Sequence, residues 1–184
     1  HMKNIQTLAE ERKLLVAGPF GQPKSDASLR GVFVFATADE AEARALGEAD
    51  PGVKAGEFRV ELHAFATDTD LRPQLARLLA QQAEQRAQGK TPMPSDVIRP
   101  YMLLVVEDGD AAWSGLSDLA ERGTIVLLGR LDGTHALAVV DAQDRAAAET
   151  VLAPVAMQLG VHTLEPWYAA KELANRDAAA AAAR

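Results

Sequence analysis

The sequence predicts an α+β protein made of two copies of one small unit. Residues 8–18 match residues 119–129, 111 positions further on and without a gap, as the end of an amphipathic helix, a buried strand and a glycine. Residues 32–35 match residues 137–140 at a separation of 105 positions, so the hairpin loop of the second copy is six residues shorter. Helix-like and strand-like hydrophobic periods alternate in the same order in both halves. These matches predict a tandem repeat of one mixed helix–strand unit.

The second copy shows the order of elements most clearly. Its hydrophobic periods predict four strands at 101–107, 124–129, 136–141 and 162–167, and two helices at 112–122 and 144–159. Asp144 stands where an N-cap carboxylate accepts from the free N–H groups of a first turn, and Gly160 stands where a left-handed residue ends a helix. This βαββαβ order is that of the ferredoxin-like split βαβ unit.

The first copy repeats this order but begins at its helix, without a first strand. Asp39 and Gly56 are its N-cap and its helix-ending glycine, and residues 56–65 are predicted to be its last strand. The apolar residues that alternation places together on one face of this sheet are Phe33, Phe35, Phe58 and Val60. An open apolar sheet face must be buried, so we expect the two copies to pack sheet on sheet as an internal pseudo-dimer. Whether two chains also form a homodimer stays open.

The domain prediction has four parts: a first unit at 1–68, a helical linker at 69–99, a second unit at 100–174 and an alanine-rich tail at 175–184. In the linker, Asp70 is expected to cap a helix with a leucine stripe, Gly89 to end it, and residues 91–94 to form an extended connector. We expect the leucines to pack on one of the units, and a helix that binds a partner is the alternative. The tail is expected to be a frayed helix.

The composition narrows the range of partners. A net charge of -7, with no cluster of Lys and Arg among aromatic residues, argues against nucleic-acid binding, because phosphates need a basic face. The apolar runs have the length of strands and not of membrane spans. The absence of cysteine excludes a thiol nucleophile, and no His-x-His or His-Glu-x-x-His spacing predicts a metal site. We expect a cytoplasmic protein, and a leader removed from the natural chain stays open.

Two strings in the first copy resemble the YCII-related family. They are Leu-Val-Ala-Gly-Pro-Phe at 15–20 and Ala-Asp-Pro-Gly-Val-Lys-Ala-Gly at 49–56. Some members of that family carry a histidine 17 residues before the glycine of the Gly-Pro pair, which is His1 in this chain, and some continue it as His-Met-x-Asn-Ile. The resemblance covers residues 1–66 well and residues 100–168 more loosely. It implies a dimeric-type α+β barrel of ferredoxin-like units, here with the first unit lacking its first strand.

The resemblance also implies a site, a His–Asp pair in a cleft beside the sheet. Carried onto this sequence, the catalytic pair is His1 and Asp50, and Gly18 and Pro19 shape the pocket wall next to Phe20. The second copy departs from this pattern. The residues at its positions for the histidine, the proline and the aspartate are Ala112, Arg130 and either Val155 or Pro154. The resemblance therefore implies one site per chain.

The chemistry of such a pair suits a general base, because a carboxylate orients the imidazole and fixes its tautomer. We predict a small-molecule enzyme, a lyase or an isomerase that removes a proton next to a carbonyl or a halogenated ring carbon, with neither a metal nor an organic cofactor. Some relatives are linked to the dehydrochlorination of hydroxyquinones, which points the same way. Arg30 and Lys24, in the loop of residues 22–30, are the candidates to hold an anionic substrate. A non-catalytic binding or accessory protein on the same scaffold is the alternative.

Each candidate residue also has a plainer interpretation. An Asp before a Pro often forms a turn, so Asp50 can be structural. The His1-Met2 pair is also what NdeI-type cloning leaves at the start of a chain. Arg30 can be a solvated surface cation. The remaining histidines, His63, His135 and His162, carry no motif and are expected to be surface or strand residues.

Overall fold

The computed structural model describes residues 1–91 and 94–175 of the chain. Its helices are α1 (Met2–Glu10), α2 (Glu40–Glu48), α3 (Pro51–Lys54), α4 (Arg72–Ala87), α5 (Pro94–Val97), α6 (Gly109–Glu121) and α7 (Arg145–Leu152). Its strands are β1 (Leu14–Pro19), β2 (Gly31–Phe35), β3 (Phe65–Ala66), β4 (Ile98–Val106), β5 (Ile125–Leu131), β6 (His135–Val140) and β7 (His162–Ala170). Ala153–Val155 and Lys171–Ala174 form 3-10 turns.

The described strands form two antiparallel sheets. β1 and β2 make a two-stranded sheet, and the other strands make a five-stranded sheet in the order β3-β5-β6-β4-β7. The α+β class predicted from the sequence is confirmed. The two sheets do not close into one continuous barrel, although an isolated bridge between Phe20 and Trp167 brings the end of β1 beside β7.

The second half follows the predicted order of elements, β4, α6, β5, β6, α7 and β7. Asp144 caps α7, and its Oδ1 accepts a hydrogen bond from the backbone N–H of Ala147 at 2.9 Å. Gly160 has a φ of +50°, as expected of a helix-ending glycine. The prediction that the helix runs to residue 159 was wrong, because α7 ends at Leu152 and continues as a 3-10 turn. Pro154 explains the early end, since its nitrogen has no hydrogen to donate to the preceding turn.

The strand predicted at 56–65 was wrong. Residues 57–64 have no regular structure, and only Phe65–Ala66 forms a strand, which pairs with β5 of the second half. In the second half, by contrast, the last strand β7 pairs with β4 along its whole length. The first half contains no strand in the position of β4, so residues 57–64 have no ladder to join.

The two halves meet through a face other than the predicted one. Val16, Val32 and Val34 of the first sheet pack into one hydrophobic cluster with Tyr101 and Trp167 of the second half. The sequence placed Phe33, Phe35, Phe58 and Val60 together on one face, here called the Phe33 set. The prediction that the Phe33 set faces the second half is therefore wrong. Both alternating sets of side chains in β2 are apolar, so alternation alone could not decide which set faces inward.

The Phe33 set lies instead on the side of the helices. The ring of Phe33 stacks on the imidazole of His1 at the start of α1. Phe58 meets the same imidazole edge-on, and the side chain of Val60 packs over Gly47 of α2. These aromatic residues therefore surround the candidate site.

The linker helix α4 joins the halves by packing on both. Leu71 and Leu75 are buried, and Arg77 Nε donates to Glu172 Oε2 at 3.0 Å. The helix begins at Arg72, two residues after the predicted cap Asp70, and Gly89 just beyond its end has a φ of +72°. In the described part of the chain, no helix is both long and apolar enough to cross a membrane. Residues 92 and 93 of the predicted connector, and the tail from residue 176 onward, lie outside the described residues.

Candidate functional site

The structure brings His1 and Asp50 together, although they lie 49 positions apart in the chain. His1 Nδ1 lies 3.0 Å from Asp50 Oδ1 and 2.9 Å from Oδ2. The Asp50 carboxylate is almost completely buried, with a side-chain exposure of 3%, whereas the His1 side chain is 40% exposed. The pair thus consists of an enclosed carboxylate and a ring that reaches solvent.

Asp50 is positioned by the start of α3. It is the N-cap of this short helix, and its Oδ1 accepts from the backbone N–H of Gly52 at 2.8 Å. Pro51 at the first helical position favours this geometry, because its fixed φ suits a first turn and no N–H is lost there. Gly52 has no room for a side chain, since a Cβ there would lie 2.4 Å from the Phe58 ring. The Asp50 side chain therefore caps the turn, as the plainer interpretation expected, and also contacts His1.

Asn4 is a third member of the cluster that the sequence analysis did not include among the site residues. Its Nδ2 donates to Asp50 Oδ2 at 3.2 Å. His1 and Asn4 are three positions apart at the start of α1, and residues at this spacing lie on the same side of a helix. That spacing, together with the His-Met-x-Asn-Ile string, was the available signal.

The imidazole of His1 is held between aromatic rings. Its centroid lies 6.1 Å from that of Phe33, with the planes 14° apart, and 5.4 Å from that of Phe58, with the planes at 64°. Because an ionised carboxylate can only accept, the hydrogen bond to Asp50 assigns the proton of a neutral ring to Nδ1. Nε2 then carries the lone pair, and within the described residues it has no hydrogen-bond partner. This arrangement leaves a basic nitrogen directed away from the buried carboxylate.

Gly18 and Phe20 are placed against β7, where the halves meet. The carbonyl oxygen of Gly18 accepts from Trp167 Nε1 at 2.9 Å, and a Cβ on Gly18 would lie 1.9 Å from the Tyr168 carbonyl oxygen. Phe20 bridges to Trp167 as an isolated pair. The glycine is therefore needed for the close approach of β1 to β7. Its predicted role in a pocket wall stays a prediction.

Pro19 and Arg30 flank the loop between β1 and β2. Pro19 is exposed at the end of β1, and Arg30 is exposed with its carbonyl oxygen accepting from Phe20 N at 3.0 Å. Arg30 makes no ion pair within the described residues. No contact in the described structure joins it to the His1–Asp50 pair, so its role in holding an anion also stays a prediction.

A buried carboxylate that the sequence analysis passed over is Glu165 on β7, which is 3% exposed. The backbone N–H of Ser25 lies 3.1 and 3.2 Å from its two oxygens, and the Ser25 hydroxyl donates to Oε1. Gly21 N also donates to the carbonyl oxygen of Pro166 at 2.7 Å. These bonds hold the loop of residues 20–30 against β7. A charged residue inside an apolar strand was the available sequence signal.

Two depressions of the surface lie away from His1 and Asp50. One, of about 290 Å³, is lined by both apolar and polar residues, which are Leu15, Val34, Phe35, Phe65, Thr67, Asp68, Thr69, Asp70, Leu71 and Arg72. The other, of about 160 Å³, lies between Arg12 and α4. Neither His1 nor Asp50 lines either depression.

The second half has an apolar cluster at the positions equivalent to His1, Asn4 and Asp50. These positions are Ala112, Gly115 and Val155. Ala112 and Val155 are buried, and a Cβ on Gly115 would lie 2.4 Å from Val155 Cγ1. Asn4 and Gly115 thus each lie against the residue at the third position, which is the polar Asp50 in the first half and the apolar Val155 in the second.

The other histidines lie outside this cluster. His63 Nδ1 is 2.6 Å from Asp132 Oδ2 on the exposed β5–β6 turn, and this hydrogen bond, with that from Ala64 N, holds the pKa of Asp132 below its ordinary value. His135 Nδ1 lies near the Thr134 hydroxyl, and His162 Nδ1 lies near the Gly160 carbonyl oxygen. Among the described residues, no group of three or more His, Asp or Glu side chains is arranged to hold a metal ion.

Comparison with known proteins gives no relative: no family model, no curated protein and no solved structure matches the chain.

Proposed function

We propose that this chain is a small-molecule enzyme of the YCII-related type, a cofactor-independent lyase or isomerase in which His1 is the general base. The observation that carries the proposal is the hydrogen bond between His1 Nδ1 and the buried carboxylate of Asp50, at 2.9 Å. It directs the lone pair of Nε2 outward, where a substrate can reach it. The resemblance of residues 15–20 and 49–56 to that family supports the same assignment.

In the proposed reaction, Nε2 of His1 takes a proton from an activated carbon of the substrate. The electron pair left on that carbon moves to a neighbouring carbonyl oxygen or expels a leaving group from the adjacent carbon. Asp50 stabilises the imidazolium that forms, and Asn4 and the N–H of Gly52 hold the carboxylate in place. The rings of Phe33 and Phe58 shield two sides of the base from water and favour a planar apolar substrate.

The proposal includes an architecture of two ferredoxin-like units that pack as an internal pseudo-dimer. Both halves have a β-bulge at the same position, between Leu14 and Val16 in one and between Ile125 and Leu127 in the other. Both halves also have a residue with left-handed backbone two positions before that strand. These residues are Arg12 and Gly123, which are equivalent positions in the repeat.

The contacts between the halves are also reciprocal, which supports the pseudo-dimer. Phe20 and Leu131 are equivalent positions in the repeat. Phe20 bridges to Trp167 on the last strand of the second half, and Leu131 pairs with Phe65 on the last strand of the first half. Each half thus contacts the last strand of the other, as is expected of two units that pack as an internal pseudo-dimer.

A binding or accessory protein without catalysis is the second candidate. It is favoured by the position of the 290 Å³ depression, which is lined by Leu15, Val34 and Phe65 and does not include His1. A protein that only binds its ligand needs such a depression and no base.

The first test needs no substrate. Imidazole labelled with ¹⁵N reports by NMR which nitrogen carries the proton, at a pH well above the usual imidazole pKa of about 6.5. The wild type is expected to hold the Nδ1–H tautomer of His1, and Asp50→Asn is expected to lose that preference. Asp39→Asn is the matched control, because Asp39 caps α2 in the same half without contacting a histidine. A His1 ring without a preferred tautomer in the wild type would sink the proposed base.

The second test follows exchange of C–H for C–D in D₂O across a panel of small ketones, lactones and hydroxyquinones. Exchange is expected with at least one compound and should disappear in His1→Ala and Asp50→Asn, while Asp39→Asn keeps it. Circular dichroism should show the fold of Asp50→Asn intact, because Asn is as good an N-cap as Asp. Exchange that persists in both site variants would contradict the proposal. Tight binding of a panel compound with no exchange would favour the second candidate.

A further inference from the structure

The outer edge of β2 is unpaired. Phe20 N donates to Arg30 O at 3.0 Å and Ala36 N donates to Lys13 O at 2.8 Å, so the even-numbered residues of this strand direct their backbone groups toward β1. The N–H and C=O groups of Gly31, Phe33 and Phe35 therefore point outward. Within the described residues these groups have no strand partner.

The equivalent strand in the second half, β6, is paired on both sides. β5 lies on one side and β4 on the other, with pairs from Met102↔Val140 to Val106↔Ala136. In the repeat, Phe35 is equivalent to Val140 and Gly31 is equivalent to Ala136. The edge that β4 covers in the second half is thus the edge that is open in the first half.

A second unpaired segment lies on the far side of the same gap. β4 pairs with β7 as well as with β6, and the counterpart of β7 in the first half is the irregular segment 57–64. The His1 ring lies between Phe33 of β2 and Phe58 of this segment. In the second half, β6 and β7 both pair with β4. Their counterparts in the first half, β2 and residues 57–64, have no strand between them.

We propose that the outer edge of β2 is a strand-addition site, and that its occupant is an antiparallel strand with the pattern of β4 that runs directly into α1. In the second half only Glu107 and Asp108 separate β4 from α6, so the connection is short enough to fix the strand beside its own helix. The inference depends on the repeat described under the proposed function and not on the catalytic role of His1.

The chemistry of this occupant follows from its neighbours. One face of the strand would meet Val32 and Val34, and the other would lie under α1, so both faces must be apolar, as Leu103 and Leu104 are in β4. Its backbone would supply partners for Gly31, Phe33 and Phe35 and would give residues 57–64 a ladder to join. Such a strand would also cover part of the His1 ring, which is 40% exposed without it.

The test joins a copy of residues 98–111 directly to His1, which reproduces the spacing of the second half. Amide hydrogen exchange is expected to slow at least about tenfold at Phe33, at Phe35 and in residues 57–64. The matched control is the same fusion with prolines at the copies of Met102 and Leu104. In β4 these residues direct their N–H groups toward β6, and a proline has none to donate. A separate peptide copy of residues 98–107, added to the unfused chain, is expected to protect the same amides.

Equal exchange in the fusion and its proline control would overturn the proposal, and so would a peptide that protects none of these amides. Sedimentation of the unfused chain provides a further check. If β2 edges pair with each other in a dimer, and protect the same amides as concentration rises, the edge is a self-association surface and the proposed occupant is wrong. The same fusion carrying Asp50→Asn should be protected equally, so failure of the catalytic proposal is distinguishable from failure of this one.

Discussion

The proposed repeat makes a prediction about backbone strain at Arg12. This residue has a φ of +59°, in the left-handed region that side chains rarely adopt, and the equivalent position in the second half is Gly123, with a φ of +79°. The same turn between helix and strand is therefore built with glycine in one copy and without it in the other. Arg12→Gly should stabilise the chain, and the reciprocal change Gly123→Arg should destabilise it.

The magnitude follows from two opposing terms. A left-handed conformation costs an L-residue about 1–2 kcal/mol. Glycine in place of a side chain gives some of this back, because the unfolded chain gains freedom worth about 0.4–1 kcal/mol. Arg12 is exposed and makes no ion pair within the described residues, so only the packing of its stem beside α4 is lost in addition. The net gain for Arg12→Gly is about 0.5–1 kcal/mol.

Gly123→Arg should lower the free energy of unfolding by a similar amount. No atom lies within 4 Å of a Cβ placed at Gly123, so the new side chain has room and only the backbone is strained. The double exchange should return the stability close to that of the wild type. Urea denaturation followed by circular dichroism measures the free energy of unfolding of all three. Thermal unfolding of the same variants should show a melting-temperature shift of about 2–4 °C per kcal/mol. A Gly123→Arg variant as stable as the wild type, or an Arg12→Gly variant less stable, would refute the reasoning.

Three further predictions concern contacts between the halves. Glu165→Ala should speed trypsin cleavage in the loop of residues 20–30. Ser25→Ala should speed it less, because the backbone N–H of residue 25 still donates to the Glu165 carboxylate. Equal cleavage of the wild type and Glu165→Ala would show that Glu165 does not hold the loop. The hydrogen bond from His63 holds the pKa of Asp132 below its ordinary value. The ionised Asp132 carboxylate therefore stabilises the folded chain at any pH above the ordinary pKa, and this stabilisation is lost as the pH falls through the lower pKa of the folded state. Asp132→Asn should therefore be less stable than the wild type at neutral pH and equally stable in acid, which urea midpoints across a pH series would check. Gly18→Ala should lose about 1–3 kcal/mol of unfolding free energy through its clash with the backbone of β7, and a calorimetric melting temperature equal to that of the wild type would contradict this.

The elements of the second half could be predicted because each carries its own signals. Asp144 and Gly160 mark the helix α7, and each of the four strands β4 to β7 has a pairing partner within the same half. The first half could not be predicted equally well, because a strand needs a partner as well as a pattern. Residues 57–64 have the composition of a strand, but the ladder they would join is absent from the described structure.

The candidate site was only partly predictable. His1 and Asp50 were found through a family resemblance and lie in hydrogen-bonding contact. Asn4 was missed, although its spacing from His1 on α1 was visible in the sequence. The contact of Gly18 with β7 could not be found in this way, because it depends on how the two halves pack and not on any local pattern.

The contrast between the two halves bears on why the polar cluster exists. A buried carboxylate must be hydrogen-bonded, and Asp50 needs donors from His1, Asn4 and Gly52 for this. The second half fills the equivalent positions with Ala112, Gly115 and Val155, so its helix and turn form without a buried charge at these positions. Folding of this unit therefore does not require the polar cluster. Because well-packed apolar residues often stabilise a protein as much as a buried polar network or more, the fold gives no reason for the His1–Asn4–Asp50 cluster, and the proposed role of His1 as a base would give one.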